Sequence, residues 1–363
     1  MNDFYAAVFG AGLSGLSIAN ALTKKGKAVL LIDPYVSENA PGAPAGLVNP
    51  ATGRHARLSW RSRECFDALN PHVDELNEFS EVGPLISRSG VIRPAINEKL
   101  VVNFKESLEK YDWPEEWISW IESDEVKELN PEIAPNFGAL HLSCGFTVFA
   151  DRYLNTYRKY LRVKGCVCKY QKAEYRSEPE NNRFIIDLNG NESYTAEHVI
   201  VAAGFNAPLF SEWEYLPLNR VKGQIVRFEA DQDLNWEHAV SSMGYALRRG
   251  KRDIVVGSTY EHKFDGFETT DDAYRQIAEK LANMFPNVAK KARKVDQVAG
   301  IRVTTPNKLP VIGRHKEIEN LCIYTAMGSK GLLFSEYCGS LLANHLTDNK
   351  AIPEELDTAR FHE

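Results

Sequence analysis

The chain has 363 residues, which is long for one hydrophobic core and predicts two domains. Apolar residues make up 44% and charged residues 25%, which excludes a disordered or fibrous chain. The net charge of −6 excludes a global attraction to nucleic acid or to an anionic membrane.

No apolar run approaches the ~20 residues that span a bilayer. The N-terminal apolar run lacks a basic leader and stops at a glycine turn, so it reads as a strand rather than a signal sequence. The six cysteines (Cys65, Cys144, Cys166, Cys168, Cys322 and Cys338) are scattered and match neither a zinc spacing nor a disulfide framework. Reduced thiols in a cytoplasmic protein are expected, with no metal site.

In chain order, the apolar run at 4–9 leads into the turn Gly10-Ala11-Gly12-Leu13-Ser14-Gly15 and a helical segment at 16–25. A second apolar run at 28–32 ends on Asp33. Strand, glycine turn, helix, strand and acid come in the order that a dinucleotide requires. Gly10 makes the turn, Gly12 lets a pyrophosphate approach the backbone, and Gly15 lets helix and strand pack closely. The helix start offers N–H groups and the positive end of its dipole. An acid at 33 can accept from ribose hydroxyls and argues against a 2′-phosphate, hence against NADP, without separating NAD from FAD.

Residues 37–59 are rich in Pro, Gly, Ala and Asn, a long aperiodic segment of the kind that is more often functional than passive. Residues 60–82 have helical spacing. The stretch 84–148 mixes short β runs with Trp113, Trp117 and Trp120, expected in a core or interface. A helix is predicted at 153–163, strands at 167–176 and 184–188, and a fully apolar strand at 198–204, a pattern of the buried middle of a parallel sheet. Short β runs at 221–228, 244–248 and 253–259 predict an antiparallel set. An amphipathic helix at 271–285 stops at Pro286, and strands follow at 295–303 and 321–326. The last runs into Met327-Gly328-Ser329-Lys330-Gly331 and a final helix at 332–346. The parallel pieces lie at both ends and in the middle, with antiparallel material inserted twice.

This layout resembles the FAD-dependent D-amino-acid oxidase superfamily, and within it the glycine oxidase and sarcosine oxidase branch. It is also similar to the FAD-dependent oxidoreductase domain of the bifunctional enzyme that modifies the tRNA wobble uridine. The resemblance rests on the opening glycine turn with Asp33 and Pro34, on Ala45-Gly46-Leu47, and on the strand closing at Ala203-Gly204. It rests further on Gly244-Tyr245-Ala246-Leu247-Arg248 followed by Val256-Gly257-Ser258-Thr259, on Ala299-Gly300-Ile301-Arg302, and on Gly328-Ser329-Lys330-Gly331-Leu332.

It implies an α/β plus α+β fold. A Rossmann-like FAD-binding domain (GR2-type) from 1–84, 149–218 and 295–363 would be interleaved with an antiparallel-sheet substrate domain from 85–148 and 219–294. FAD would be held by Gly10, Gly12, Leu13, Ser14, Gly15, Asp33, Pro34, Ala45, Gly46, Leu47, Glu174, Ala203, Gly204, Gly300 and 328–332. The backbone at Glu174 would meet the adenine. The cysteine that sarcosine oxidases use for covalent attachment has no counterpart at 300–305, which implies non-covalent FAD.

The resemblance also places catalytic roles on Arg302, Tyr245 and Lys330. Arg302 would grip a substrate carboxylate through a bidentate, charge-assisted pair, and Tyr245 would offer its hydroxyl to the same group. Lys330 and the helix start would face the charge that develops on a reduced flavin. The bland readings are a structural salt bridge, a core aromatic and a solvated lysine. The implied reaction oxidises the C–N bond of a small amino acid or N-substituted glycine, with oxygen or another acceptor taking the electrons. Two rivals stand beside it: removal of an N-carboxymethyl group from tRNA, and a flavin-binding subunit without its own turnover. Basic clusters at 54–63, 248–252 and 290–294 are the only feature favouring tRNA.

Overall fold

The N-terminal apolar run forms the strand Asp3–Phe9 in the first of two large sheets of the computed structural model, which describes residues 3–34, 46–190 and 192–362. Ala6, Ala7 and Val8 are fully buried, so both faces of the strand are covered. A continuous apolar run suits that position, where an alternating one would not. Its parallel neighbours are Val29–Ile32 on one side and Glu192–Val201 on the other. The strand Glu192–Val201 serves two partners on its far edge. Its first half pairs antiparallel with Arg183–Leu188, and its second half pairs parallel with Leu321–Thr325.

The run 167–176 is two strands rather than one. Val167–Lys169 lies parallel to Val29–Ile32, where the Asp33 amide donates to the Lys169 carbonyl. The chain then crosses to the other end of the same sheet, where Ala173–Glu178 begins an antiparallel meander with Arg183–Leu188. In the meander Tyr175 packs edge-on against Phe9 at 5.3 Å and stacks on Phe210. The switch from parallel to antiparallel is a matter of register, which β propensity does not carry.

The helices Leu13–Lys24 and Gly331–Asp348 pack against each other and the sheet. They approach closely at Gly339, where a Cβ would sit 2.9 Å from Ser17 Oγ. Ser62–Phe79, with Pro71 inside it, and Ala150–Val163 complete this layer. Four helices meet in a buried polar seam of Asn20, His72, Tyr157 and Glu336. The Tyr157 hydroxyl donates to both Glu336 oxygens, at 3.0 and 3.2 Å, and His72 Nε2 lies 3.6 Å from Oε1. Burial raises the Glu336 carboxyl to about 7 and lowers the His72 imidazole to about 3. With each partner favouring its neutral form, the contact is a neutral polar one and not an ion pair.

The second sheet runs Arg293–Thr304, Asn219–Glu229, Asp253–Gly257, Tyr245–Arg248, Ala239–Ser241, Val91–Pro94, Ala139–Leu142 and Ser119–Ile121. All its pairings are antiparallel except that of Ala239–Ser241 with Val91–Pro94. By its pairing, Arg293–Thr304 sits with the inserted pieces of the chain. The helix Asp271–Met284 covers one face, burying Ile277 and Leu281 against Val226 and Val256. The other face turns Ile225, Tyr245, Leu247 and Val255 toward Leu47 and Ala51.

Two helices, Glu98–Lys110 and Ser123–Leu129, occupy the stretch expected to hold only short β runs and tryptophans. The Asn97 side chain caps the first by accepting from the Leu100 amide. The tryptophans do line the core, with Trp117 packed on Phe66 at 4.7 Å, but from turns and a short strand rather than one helix. No helix of the described residues is long and apolar enough to cross a membrane.

Candidate active site

At the end of Asp3–Phe9 the three glycines have separable roles. A Cβ on Gly15 would stand 1.7 Å from the Gly10 carbonyl oxygen, and one on Gly10 would stand 2.3 Å from that of Ala202. Those two positions are closed by backbone. At Gly12 a Cβ would meet nothing within 4 Å, so the turn leaves an open cradle there. Gly12 gives the helix Leu13–Lys24 no side-chain cap, and the first-turn amides, including those of Leu13 and Ser14, face that cradle.

The Ala11 amide donates to Asp33 Oδ2 at 2.7 Å, beside exposed Pro34. The Ala11 carbonyl accepts from Arg158 Nε at 3.3 Å and Nη2 at 3.1 Å. An acid and a buried guanidinium thus hold the two peptide groups that flank the Ala11 Cα. Arg158 was not legible in the sequence, where it is one more basic residue in an amphipathic helix.

Among the other expected cofactor residues, Gly204 and Gly331 adjoin the glycine turn and the rest lie on separate elements. Gly204, at φ +53°, also has nothing within 4 Å of a Cβ, and the Ala202 amide donates to Phe9, bringing the 203–204 corner beside the glycine turn. Gly46, at φ +97°, sits against the Val148 carbonyl, and Leu47 begins the short strand Leu47–Val48. Ala45 falls outside the described residues. Glu174 is exposed on the meander, one residue from the Tyr175 ring that packs on Phe9. A Cβ on Gly331 would lie 2.9 Å from Leu13 Cδ1, so the starts of the first and last long helices adjoin. Ser329 is exposed and Leu332 buried on either side of that start. Lys330 precedes it with its ammonium 5.4 Å over the Phe334 ring. Burial, then the nearby Lys308, lowers its pKa. These open positions and unengaged helix starts fit a flavin dinucleotide.

The second sheet brings the other two residues to the same junction. Arg302 lies in Arg293–Thr304, paired with Val221, and Gly300 lies opposite Gly223. The guanidinium rests directly on Gly223, where a Cβ would meet Nη1 at 2.3 Å. Its Nη2 donates to Ser258 Oγ at 2.6 Å, its Nη1 donates to the Thr259 carbonyl at 3.3 Å, and the Tyr260 ring stacks 4.7 Å away. All of these partners are neutral, and among the described residues no carboxylate pairs with Arg302. Lys280 adds a second positive charge nearby, its pKa lowered by burial and then by Arg302.

The Tyr245 hydroxyl sits over Gly257, 2.5 Å from where a Cβ would be, and burial raises its pKa. The Gly328 amide donates to the Val303 carbonyl at 2.9 Å, which ties the turn before the last helix to the residue after Arg302. Lys280 and Gly223 were not found in the sequence, and Gly257 and Ser258 entered only as part of a motif, with no role assigned. Their roles depend on strand pairings that a single chain does not display.

Comparison with known proteins agrees with this architecture. The chain is similar to a crystal structure of glycine oxidase from Geobacillus kaustophilus, with a TM-score of 0.84, 20% identity, and 99% of this chain and 98% of that one covered. It is similar to iminodiacetate oxidase (IdaA) from Chelativorans sp. BNC1, with a TM-score of 0.83, 22% identity, and coverage of 97% and 98%. Among curated sequences it is 24% identical over 370 residues to the tRNA 5-methylaminomethyl-2-thiouridine biosynthesis bifunctional protein MnmC of Thiobacillus denitrificans. That alignment takes in 98% of this chain but only 58% of the relative's length. The family described as DAO, FAD dependent oxidoreductase, matches residues 6–345. The chain belongs to that FAD-dependent oxidoreductase family, and FAD is its cofactor.

Proposed function

We propose that the protein oxidises the C–N bond of a small carboxylated amine, either an amino acid or an N-substituted glycine. The observation that carries this reading is Arg302. It is a half-buried guanidinium held by a hydroxyl, a carbonyl and an aromatic ring, with no carboxylate partner among the described residues. A cation set up in this way is suited to an anion from outside, and a carboxylate matches its fork.

Bound FAD supplies a hydride acceptor for the substrate α-carbon. The chain's own residues do the rest. Arg302 grips the carboxylate and Tyr245 donates to it, which fixes the α-carbon relative to the nucleotide cradle. The positive charges of Arg302 and Lys280 favour the unprotonated amine, as the oxidation requires. Lys330 and the start of Gly331–Asp348 place positive charge on the cofactor side. FAD is held non-covalently, the product imine hydrolyses in water, and oxygen or another acceptor takes the electrons.

A tRNA substrate is the second reading, favoured by the names of the curated relatives. Against it, much of the basic surface is neutralised. Arg249 pairs with Asp151, Arg252 with Asp233, Lys291 with Asp231 and Arg293 with Glu229. The small substrate therefore stands first. Anaerobic mixing of the FAD-loaded protein with a panel of N-alkyl glycines and amino acids tests it, with bleaching of the flavin absorbance expected. If nothing on the panel bleaches it, the substrate class is wrong and a subunit without turnover is favoured. Binding of tRNA that falls steeply with salt would move the second reading ahead.

A further inference from the structure

We infer that Arg158 is a positioning residue for the cofactor, holding the Ala11 carbonyl so that the Gly12 amide is aimed at the FAD pyrophosphate. The inference concerns how FAD is held and stands whichever amine the protein oxidises. Arg158 lies on Ala150–Val163, a helix far along the chain from the glycine turn, and is 8% exposed. Its hydrogen bonds all go to neutral groups. Nε and Nη2 both donate to the Ala11 carbonyl, at 3.3 and 3.1 Å, and Nη1 donates to Asn155 Oδ1 at 3.0 Å. A guanidinium buried without a bonded carboxylate is costly, and a nearby anion is what relieves that cost. Here two arms of its fork converge on one backbone oxygen of the turn, and Asn155, from the same helix, braces the third.

The peptide geometry gives this contact a direction. The Ala11–Gly12 peptide is trans, so its C=O and its N–H point opposite ways. A carbonyl drawn toward Arg158 therefore turns the Gly12 N–H away from the arginine. That amide makes no hydrogen bond among the described residues, and a Cβ on Gly12 would meet nothing within 4 Å. The preceding peptide is fixed as well, by the Ala11 amide on Asp33 Oδ2 at 2.7 Å. With both peptides of Ala11 held, the Gly12 N–H is aimed before the nucleotide arrives.

Charge acts in the same sense. Guanidinium, carbonyl, amide and phosphate form a line of dipoles, each link polarising the next. Asp33 on its own would repel a pyrophosphate, and the positive charge of Arg158 on the other side of Ala11 offsets it.

The test uses the FAD-loaded protein, with FAD release after dilution read from the recovery of free-flavin fluorescence. Arg158→Met, which removes the donors and keeps an apolar stem, is expected to release FAD about tenfold faster, the equivalent of one charge-assisted hydrogen bond. Arg158→Lys keeps the charge without the fork and is expected to fall between the two. Release at the parental rate in either variant would overturn the inference. Melting temperature separates a merely structural role. The rise on adding FAD to the flavin-free chain should shrink in Arg158→Met, while the flavin-free value changes little. A lower flavin-free value with the FAD-dependent rise intact would overturn the inference. If Arg158→Met does not fold, Arg158→Lys decides by the same two readings. As competitors of FAD rebinding, ADP carries a pyrophosphate and adenosine does not. ADP should lose potency in the variant and adenosine should keep it, and equal losses for both would also overturn the assignment.

Discussion

Glu336 offers a prediction whose size follows from its surroundings. It is buried between helices with Tyr157 and His72, and burial moves its carboxyl from the usual 4.5 to about 7. Because the folded-state value is raised, the proton stabilises the fold. That contribution is fully present below pH 4.5 and is lost as the pH rises through 7. At about 1.4 kcal/mol per pH unit, the loss comes to about 3 kcal/mol at pH 8. Glu336→Gln is neutral at every pH and keeps an oxygen to accept from Tyr157. It should therefore exceed the parent by about 3 kcal/mol at pH 8, equivalent to about 4 °C in melting temperature for a chain of this size. At pH 5 the difference should shrink to about 1 kcal/mol or less. His72 has the opposite sense, since its lowered value costs stability as the pH falls below 6.5. It is common to both proteins and cancels in the comparison. Thermal and urea unfolding of the pair at pH 5 and pH 8 provides the measurement. A gap that does not change with pH, or a variant that is less stable at pH 8, would show that Glu336 is charged in the folded protein and refute the reasoning.

Other outcomes follow from close approaches in the site. Gly15→Ala should leave no FAD on the purified protein, because its Cβ would stand 1.7 Å from a backbone oxygen, whereas Gly12→Ala should fold normally and bind FAD more weakly. The ratio of flavin to protein absorbance reads both. Gly223→Ala should displace the Arg302 side chain without unfolding the strand, since a flexible guanidinium is what it meets. It should raise KM for a carboxylated substrate with a smaller effect on kcat. Arg302→Leu should raise that KM on the order of 100-fold, from roughly 1.5–3 kcal/mol for each hydrogen bond to the charge. Acid precipitation should release the flavin into the supernatant, and flavin remaining on the pellet would contradict non-covalent binding.

The nucleotide cradle was the most legible part of the molecule. Gly15 answers to the Gly10 carbonyl five residues away and Gly12 to an open space, so the local pattern carries the reason for both, whereas Gly10 closes on distant Ala202. Arg302 was legible only by resemblance, because nothing near it in sequence shows that its partners are neutral. The contacts of Gly223 and Ser258 with Arg302 were invisible for a related reason. The two residues meet Arg302 only when Asn219–Glu229 lies between Arg293–Thr304 and Asp253–Gly257, a register set by three distant segments. The missed helix Glu98–Lys110 was hidden by tryptophans that drew attention to the segment after it, although Asn97 is an ordinary cap signal. The run 167–176 looked like one strand because propensity continues across a break that pairing alone creates.

The central strand has a consequence for how the protein is made. Asp3 is bonded to Thr195, 192 residues away, and Tyr5 donates to the Leu346 carbonyl, 341 residues away. At about 5–20 residues per second, the ribosome delivers that last partner tens of seconds after the first strand. Until then an apolar strand has one parallel neighbour within reach and an open edge, the kind of surface that chaperones cover. The glycine turn is synthesised long before Gly331–Asp348, the helix whose start adjoins it in the folded chain. An opening built from both segments is complete only once the later helix is made.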